Sequence, residues 1–506
     1  MSQSSHLAVI LPLLVPLFAG ALSLLLWRSA ASQRYIALIG TAGLLAAGLW
    51  LLLCTRESGF VVMQMGGWPA PYGISFVADL LSALLVVLTG LVGLMVAIYA
   101  QVAIPAGHEK FGYYPLMHLL LAGVAGSFLT GDLFNLFVWF EVMLLASFAL
   151  LALGGEPAQM EGAIKYVTLN LFASALFLSA IGLLYGMTGT LNLADIALKL
   201  APHHSHGMVN VLATLFMVAF GIKAAAFPLF FWLPSSYHTP LVAISALFAG
   251  LLTKVGVYAL YRIFTLIFVH DPGYTHSILM VTAGLTMLTG VLGAAAQFEF
   301  RRILAFHSIS QIGYMLLGLA LNSPLGLIGG MYYILHHGLV KTSLFLISGI
   351  TARLLGSHDL ARLGGVYRHR PWLAVLFLLS ALSLAGLPPL SGFFGKFLVL
   401  RASLAAEAWL AAAVALLVGL LTLYSMLKIW AEVFWKPLPD GVDGACLRGE
   451  VPDPGLKVML LPVALLSLAT LLMGLLAQPV LEVLEAAAAQ LADPSLYIAA
   501  VLGGKP

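Results

Sequence analysis

The stretch GIKAAAFPLFFWLP, residues 221–234, places a lysine and two prolines inside an otherwise apolar run. If this run crosses a membrane as a helix, Lys223 must lose its water, and Pro228 removes a backbone donor from the helix. A second stretch, SLAGLPPLSGFFGKFLVL at residues 383–400, repeats the combination with Pro388, Pro389 and Lys396. Because backbone groups freed in a membrane must be satisfied by protein or by water, both stretches predict interrupted helices beside polar cavities.

The rest of the chain has the composition of a membrane protein. Of 506 residues, 61% are hydrophobic and 8% are charged, and the mean hydropathy is +1.04, outside the range of soluble domains. Apolar runs of about 20 residues, each able to cross a ~30 Å hydrocarbon core, recur along the whole length. The sequence therefore predicts an all-α polytopic membrane protein with fourteen spans, near 7–27, 35–54, 77–100, 114–130, 133–153, 164–186, 209–232, 241–268, 276–297, 302–321, 325–350, 371–399, 407–435 and 456–478.

Basic residues in the connections predict the orientation of these spans, because lysine and arginine concentrate on the cytoplasmic side. Connections that follow odd-numbered spans hold thirteen of them, and the opposite side, with both termini, holds five. We therefore expect both termini to face outward, in the inner (cell) membrane of a bacterium. The net charge of +3 is explained by the cytoplasmic connections and gives no sign of nucleic-acid binding.

Five lysines remain, and all of them fall inside predicted spans: Lys223, Lys254, Lys341, Lys396 and Lys428. A charge at the bilayer centre costs at least ~2.5 kcal/mol, so such residues are expected to face one another or water. Glu141, in TGDLFNLFVWFEVMLLASFALL, is the candidate counter-charge for Lys223. The alternatives are a purely structural carboxylate at Glu141 and lysines that extend to the membrane surface, the latter better suited to Lys396 than to Lys223.

The broken spans also predict an internal repeat. Lys254 follows Lys223 by 31 residues, and Lys428 follows Lys396 by 32. Because broken spans seven and twelve are an odd number of spans apart, the two units must run through the membrane in opposite directions. We expect a single membrane domain (1–506) with peripheral helices in 1–100, five-helix repeats in 114–268 and 276–435, and a cytoplasmic loop, last helix and outward C-terminal segment in 436–506.

Titratable residues between the broken spans predict a proton relay. In YYILHHGLVKTSLF, His337 and Lys341 are four residues apart and share a helix face. His336 points away from His337 and is interpreted as a helix-packing residue that is hydrogen-bonded to a carbonyl. The tenth span offers His307, Ser308, Ser310 and Gln311 but no acid. Lys428 has Glu432 four residues later, so the two form either an interfacial ion pair or part of the relay.

Several segments resemble the D subunit of Mrp-type multisubunit cation/proton antiporters. They include the Glu141 stretch, KAAAFPLFFWLPSSY (223–237), ISALFAGLLTKVGVYALYRIF (244–264) and LAGLPPLSGFFGKFLVLRA (384–402). That subunit belongs to a wider family with the antiporter-like, proton-pumping subunits of respiratory complex I and membrane-bound hydrogenases. The resemblance covers nearly the whole chain.

The resemblance implies roles for residues at matching positions. It identifies a proton pathway through Glu141, Lys223, Lys254, His337, Lys341 and Lys396. It also implies partners, namely the other subunits of a hetero-oligomeric complex, including a larger paralogue, with protons and Na+ or K+ as the transported ions. Neither a cofactor nor an enzymatic reaction is implied.

Three functions fit these features: an antiporter subunit, a proton-pumping arm of a redox complex, and a passive scaffold. The scaffold explains neither the buried lysines nor the broken helices. The sequence has no CxxC motif and no dinucleotide-binding glycine motif, so any redox centre must lie in a partner. The identity of the neighbouring genes would distinguish an antiporter subunit from a proton-pumping arm of a redox complex.

The loop PHHSHG, with His203, His204 and His206, resembles a metal site in composition alone, and a solvated loop explains it better. No metal site is predicted.

Overall fold

The structure is a computed structural model that describes residues 3–201 and 207–503. Helices dominate it. Up to residue 266 they are α1 (Gln3–Leu25), α2 (Ala30–Ser58), α3 (Leu80–Ala103), α4 (Ala106–Lys110), α5 (Tyr113–Leu129), α6 (Leu133–Ala152), α7 (Pro157–Thr188), α8 (Leu193–Leu200), α9 (Gly207–Ala224), α10 (Trp232–Tyr237) and α11 (Val242–Leu266). The predicted histidine loop at His203, His204 and His206 lies outside the described residues.

The second half continues in the same way. Its helices are α12 (Pro272–Ala295), α13 (Phe300–Ala320), α14 (Pro324–Leu355), α15 (Val366–His369), α16 (Pro371–Ala385), α17 (Ser391–Ala405), α18 (Trp409–Ile429), α19 (Ala445–Arg448), α20 (Leu456–Leu475), α21 (Ala477–Ala492) and α22 (Pro494–Leu502). A π-helical turn, Trp430–Trp435, extends α18, and two 3-10 turns lie at Met65–Gly67 and Leu360–Arg362.

The predicted fold class, an all-α polytopic membrane protein, is confirmed. Twelve helices in the described part of the chain are long and apolar enough to cross a membrane. The apolar helix α5 is shorter, and α16 continues into α17 across a break, so these two segments complete the fourteen predicted spans.

The prolines singled out above lie where a span is interrupted. Pro228 lies between α9 and α10, and Pro388 and Pro389 lie between α16 and α17. At the first break, the indole nitrogen of Trp232 donates to the carbonyl of Ile222 at 2.8 Å. This bond satisfies a carbonyl near the end of α9, as a buried backbone group requires.

A short hairpin precedes the third span and was not predicted. Strands β1 (Val61–Gln64) and β2 (Ser75–Ala78) pair antiparallel. The predicted span began at residue 77, but α3 begins only at Leu80, because Asp79 caps it: its carboxylate accepts from the backbone N–H of Ser82 at 2.8 Å. The apolar residues just before Asp79 therefore belong to a strand.

The centre of the molecule is formed by α11, α13 and α14, in which nearly every side chain is buried. Helix α9 approaches α11 very closely at Gly256, where a Cβ atom would lie 2.5 Å from the backbone nitrogen of Ala224. Only glycine fits there without displacing α9. The end of α9, which carries Lys223, is thereby fixed against the helix that carries Lys254.

The C-terminal segment, whose sequence predicts an amphipathic or partner-contacting helix, forms α21. Leu484, Ala487 and Leu491 are buried on one face of this helix, which packs against α14 and α3 of the same chain. The side-chain amide of Gln490 donates to the carbonyl of Gly59 at 2.7 Å. One face of α21 is therefore covered by other helices of the same chain.

Arg262 is one of the five basic residues counted for the outward side, although it falls within the predicted span 241–268, and it lies inside α11, where it forms a buried ion pair with Asp79. Only 6% of the arginine side chain and 1% of the aspartate side chain are exposed. The guanidinium also lies over the rings of Tyr258 and Tyr497, at 5.5 and 5.1 Å from their centres. The pair therefore joins α11, the start of α3 and α22.

We expect Arg262→Gln to reduce the free energy of unfolding by about 3–5 kcal/mol, because it leaves the Asp79 carboxylate buried without its counter-charge. The apparent melting temperature of the purified protein should fall measurably. Arg56→Gln, at an exposed position in the last turn of α2, is the control and should leave it unchanged. Equal melting temperatures for the two variants would show that the ion pair contributes little.

Candidate functional site

The Glu141 and Lys223 side chains are joined by a serine hydroxyl that sequence reasoning missed. Ser174, on α7, donates its hydroxyl hydrogen to Oε1 of Glu141. The same hydroxyl oxygen accepts from the Lys223 ammonium group at 3.1 Å. Lys223 and Ser174 are 4% and 5% exposed and Glu141 is partly buried, so the three groups form a connected polar chain that begins at a partly exposed carboxylate and ends at a buried ammonium group.

The expected direct ion pair between Glu141 and Lys223 is therefore absent from the described residues, and Ser174 lies between the two charges. The Lys223 ammonium also lies 4.9 Å from the centre of the Phe140 ring, one residue before Glu141 on α6. Hydrogen bonding and a cation–π contact together stabilise a charge that burial disfavours. An uncharged serine in an apolar helix gave no sequence signal for this arrangement.

The predicted central residues Lys254, His337 and Lys341 are all fully buried. The Lys254 ammonium donates to the carbonyl of Ala249, and that of Lys341 donates to the carbonyl of Leu304 at 2.7 Å. Lys254 and Lys341 both lie close enough to His337 to act on it electrostatically. Within the described residues neither ring nitrogen of His337 has a hydrogen-bond partner, which leaves both free to take or release a proton.

Polar residues of the tenth span extend this centre. His307 on α13 is fully buried, and it interacts electrostatically with Lys341 and Lys396. The amide oxygen of Gln311 accepts from the hydroxyl of Tyr333, and its amide nitrogen donates to the hydroxyl of Thr422 at 3.3 Å. The span thus supplies uncharged polar groups between Lys341 and Lys396.

Lys396 lies at the second break and uses the backbone groups that the break leaves free. Its ammonium donates to the carbonyls of Leu384 and Ala385, at 2.9 and 3.1 Å. It also lies 4.8 Å from the centre of the Tyr314 ring. An ammonium group has three hydrogens and the neutral amine has two, so Lys396 can lose a proton and still donate to both carbonyls.

His336 bonds to a side-chain hydroxyl and not to the carbonyl that was expected. Its Nδ1 lies 2.8 Å from the hydroxyl oxygen of Ser391, the first residue of α17. That hydroxyl lies 3.1 Å from the hydroxyl of Ser383, next to the carbonyls that hold Lys396. Consecutive histidines thus face different groups, with His336 at the break and His337 in the centre.

Lys428 does not pair with Glu432, which was one of its two expected roles. Its ammonium donates to the carbonyls of Ala295 and Gln297, at 2.8 and 2.7 Å, at the end of α12. Glu432 pairs instead with Lys436, at 2.5 Å. Lysines are favoured beside the free carbonyls at a helix C-terminus, so this site has a structural explanation.

The predicted residues therefore fall into two groups. The central set comprises Lys254, His337, Lys341 and Lys396, with His307 and His336, and these residues lie on α11, α13, α14 and α17, which pack against one another. Glu141 and Lys223 form a separate set with Ser174, and among the described residues the Lys223 and Lys254 ammonium groups share no hydrogen-bond partner. Transfer between the sets requires a further carrier or a movement.

Comparison with known proteins shows similarity over the whole chain. The sequence model of the NADH:quinone oxidoreductase/Mrp antiporter transmembrane family matches residues 130–422. The D subunit of the Na(+)/H(+) antiporter of Alkalihalophilus pseudofirmus is 46% identical over 98% of this chain and 99% of its own length. Two solved structures are similar: the Mrp complex of Dietzia sp. DQ12-45-1b, with a TM-score of 0.90 and 37% identity, and an archaeal membrane-bound sulfane sulfur reductase, with 0.88 and 25%. In each, 99% of this chain and all of the matched chain are covered.

Proposed function

Since the chain belongs to the NADH:quinone oxidoreductase/Mrp antiporter family, among its Na+/H+ antiporter D subunits, we propose that it is the proton-translocating subunit of a multisubunit complex that exchanges Na+ or K+ for H+. It is a transporter component, not an enzyme, and works with the other subunits of that complex, including a larger paralogue. The observation that carries the assignment of its site is the hydroxyl of Ser174, shared between the Glu141 carboxylate and the Lys223 ammonium group.

The Ser174 hydroxyl couples the charge of Lys223 to the protonation state of Glu141, at the proposed entry of the pathway. While Glu141 is ionised, the Ser174 hydroxyl points its hydrogen at the carboxylate and offers its oxygen to Lys223, which favours the charged ammonium. If Glu141 takes a proton or moves away, that support is lost and Lys223 releases its proton towards Lys254. Glu141 thus controls when Lys223 holds a proton, and Ser174 transmits the control.

The set that contains Lys254, His337, Lys341 and Lys396 carries the proton onward. Lys254, His337 and Lys341 form the central part of the relay, and the break that holds Lys396 is its exit. Moving one charge through 100 mV is worth about 2.3 kcal/mol, so small rearrangements of these bonds suffice to gate transfer. Among the described residues the Lys223 ammonium bonds to Ser174 and the Lys254 ammonium to Ala249, and the lack of a shared partner supports a gate between the two sets.

The proposed arrangement of the subunit keeps the expected repeat. We assign residues 114–268 and 276–435 to two five-helix units of opposite direction, each with one broken span, and 1–100 to peripheral helices. Residues 436–506 hold the cytoplasmic loop, the last span and the outward C-terminal segment. Thirteen basic residues against five support a cytoplasmic position for the loops that follow odd-numbered spans, with both termini outside the cell membrane of a bacterium. Arg262 is one of the five, and it lies inside α11 and not in a connection. Leaving it out of the count strengthens this bias.

The second candidate is a proton-pumping subunit of a redox complex, favoured by the similarity to the archaeal respiratory complex. Reconstitution of the purified complex into proteoliposomes, with no electron donor present, separates the two. An inward Na+ or K+ gradient should drive H+ out of the vesicles of the antiporter, at a rate proportional to the gradient. Proton movement that appears only with an electron donor would assign the chain to a redox pump.

Ser174→Ala is expected to slow exchange about tenfold, because it removes the one group that links Glu141 to Lys223 and leaves both less well bonded. Ser179→Ala is the matched control: this serine lies on the same helix, is exposed, and bonds only to the carbonyl of Ala175. Initial rates in proteoliposomes measure both. If the two variants exchange equally fast, Ser174 has no part in the mechanism.

A further inference from the structure

A cavity of about 430 Å³ lies at the membrane surface, away from the proton pathway. It opens where α16 and α20 begin, beside the last turns of α14. Its inner wall is apolar and includes Ile350, Leu354, Leu373 and Leu460. A cavity with such walls suits a hydrocarbon chain.

The rim of this cavity is basic. His369, Arg370 and Lys457 line it, and Trp372 beside them is 80% exposed. Basic residues and an exposed tryptophan at the ends of spans mark the level of the lipid headgroups. The cavity therefore spans the boundary between headgroups and acyl chains, on the side where the basic residues of the chain concentrate.

The basic groups on the rim are available to a ligand. Arg370 uses one terminal nitrogen, Nη2, to donate to the carbonyl of Cys446, at 3.1 Å, and its other terminal nitrogen, Nη1, has no hydrogen bond among the described residues. Lys457 is exposed, and within the part of the chain that the structure describes its ammonium group forms neither a hydrogen bond nor an ion pair.

The acidic groups nearby are already neutralised. Asp453 lines the cavity, but Arg353 binds both of its oxygens, at 2.5 and 3.0 Å, and these hydrogen bonds lower the pKa of the Asp453 carboxyl. Glu450 is exposed and pairs with Arg448 at 2.5 Å. The rim thus keeps an excess of positive charge over an apolar wall.

We propose that this cavity binds an anionic phospholipid, with its phosphate at Arg370 and Lys457 and an acyl chain between α14, α16 and α20. Basic pockets between spans on the cytoplasmic side are suited to such headgroups. The bound lipid would hold the start of α16, the first half of the broken span, against α20. Nothing in the proton pathway is required for this binding, so it stands apart from the proposed function.

Native mass spectrometry of the intact complex, purified in mild detergent, tests the proposal. Wild type should retain an anionic phospholipid, and Arg370→Gln/Lys457→Gln should lower its occupancy about 25-fold, roughly fivefold for each charge removed. The matched control is Arg362→Gln/Arg368→Gln, two exposed residues that do not line the cavity, and it should retain as much as wild type. No anionic lipid on wild type, or equal loss in both variants, would overturn the proposal.

Two further measurements distinguish lipid binding from misfolding of the double variant and from binding of a free anion. Lys457→Gln alone changes one exposed residue, so it should fold normally and lower occupancy about fivefold. In the delipidated complex, phosphatidylglycerol should raise the melting temperature of wild type but not of the double variant, and neither phosphatidylcholine nor inorganic phosphate should do so. An equal rise with inorganic phosphate, lost in the double variant, would identify a free anion as the ligand and reject the lipid.

Discussion

Glu141→Gln is expected to yield a complex that assembles in normal amounts and exchanges cations for protons at least about 100-fold more slowly than wild type. The substitution keeps the shape of the side chain and an acceptor for the Ser174 hydroxyl, but it removes the charge and the proton-binding site. Loss of a positioned group that takes or gives a proton typically reduces rates by ~10²–10⁴. Initial rates of proton release from proteoliposomes give the comparison.

Glu161→Gln is the control for this substitution, because Glu161 is exposed on α7 and its ion pair among the described residues is with Lys165. It should exchange at the wild-type rate. Copurification of the other subunits confirms assembly of each variant. A fully assembled Glu141→Gln complex that exchanges normally would rule out Glu141 as the residue that controls Lys223.

The second large effect is expected at Lys396. Lys396→Met should abolish exchange, whereas Lys428→Met should retain most of it. The pair is well matched, because each lysine donates to two backbone carbonyls at the end of a helix. The difference lies in their surroundings: Lys396 lies at the second break and interacts with His336, while Lys428 caps α12.

Proton flux and melting temperature should be measured together for these two variants. Both are expected to lose some stability, since each leaves two carbonyls without a donor. Only Lys396→Met should stop proton flux. Equal flux in the two variants would reduce Lys396 to a structural residue and leave the exit of the pathway unidentified.

Much of the fold followed from the sequence because its strongest signals are local. Apolar runs of sufficient length predicted the spans, and Pro228, Pro388 and Pro389 marked the positions of both interruptions. The errors arose where a single residue overrides hydropathy. Asp79 starts α3 three residues later than its apolar run suggests. Arg262 was counted with the outward connections because its counter-charge, Asp79, is 183 residues away and no local pattern shows that the two pair inside the protein.

The site was predictable to the extent that charge in an apolar run is unusual. Glu141 and the buried lysines were found on that ground, but their partners were not. Ser174 becomes significant only because α6, α7 and α9 meet there. For Lys428, the spacing to Glu432 indicated a local pair, whereas the end of α12 supplies closer acceptors that no local pattern reveals.

The proposed pathway depends most directly on Lys223 as a carrier of protons. The decisive measurement is the collapse of a pre-formed ΔpH in everted vesicles on addition of Na+ or K+, with wild type and Lys223→Ala compared at equal amounts of assembled complex. We expect that either cation, or both, collapses ΔpH in wild type and that neither does so in Lys223→Ala. Equal collapse in the two would show that protons do not pass through Lys223 and would contradict the proposed pathway.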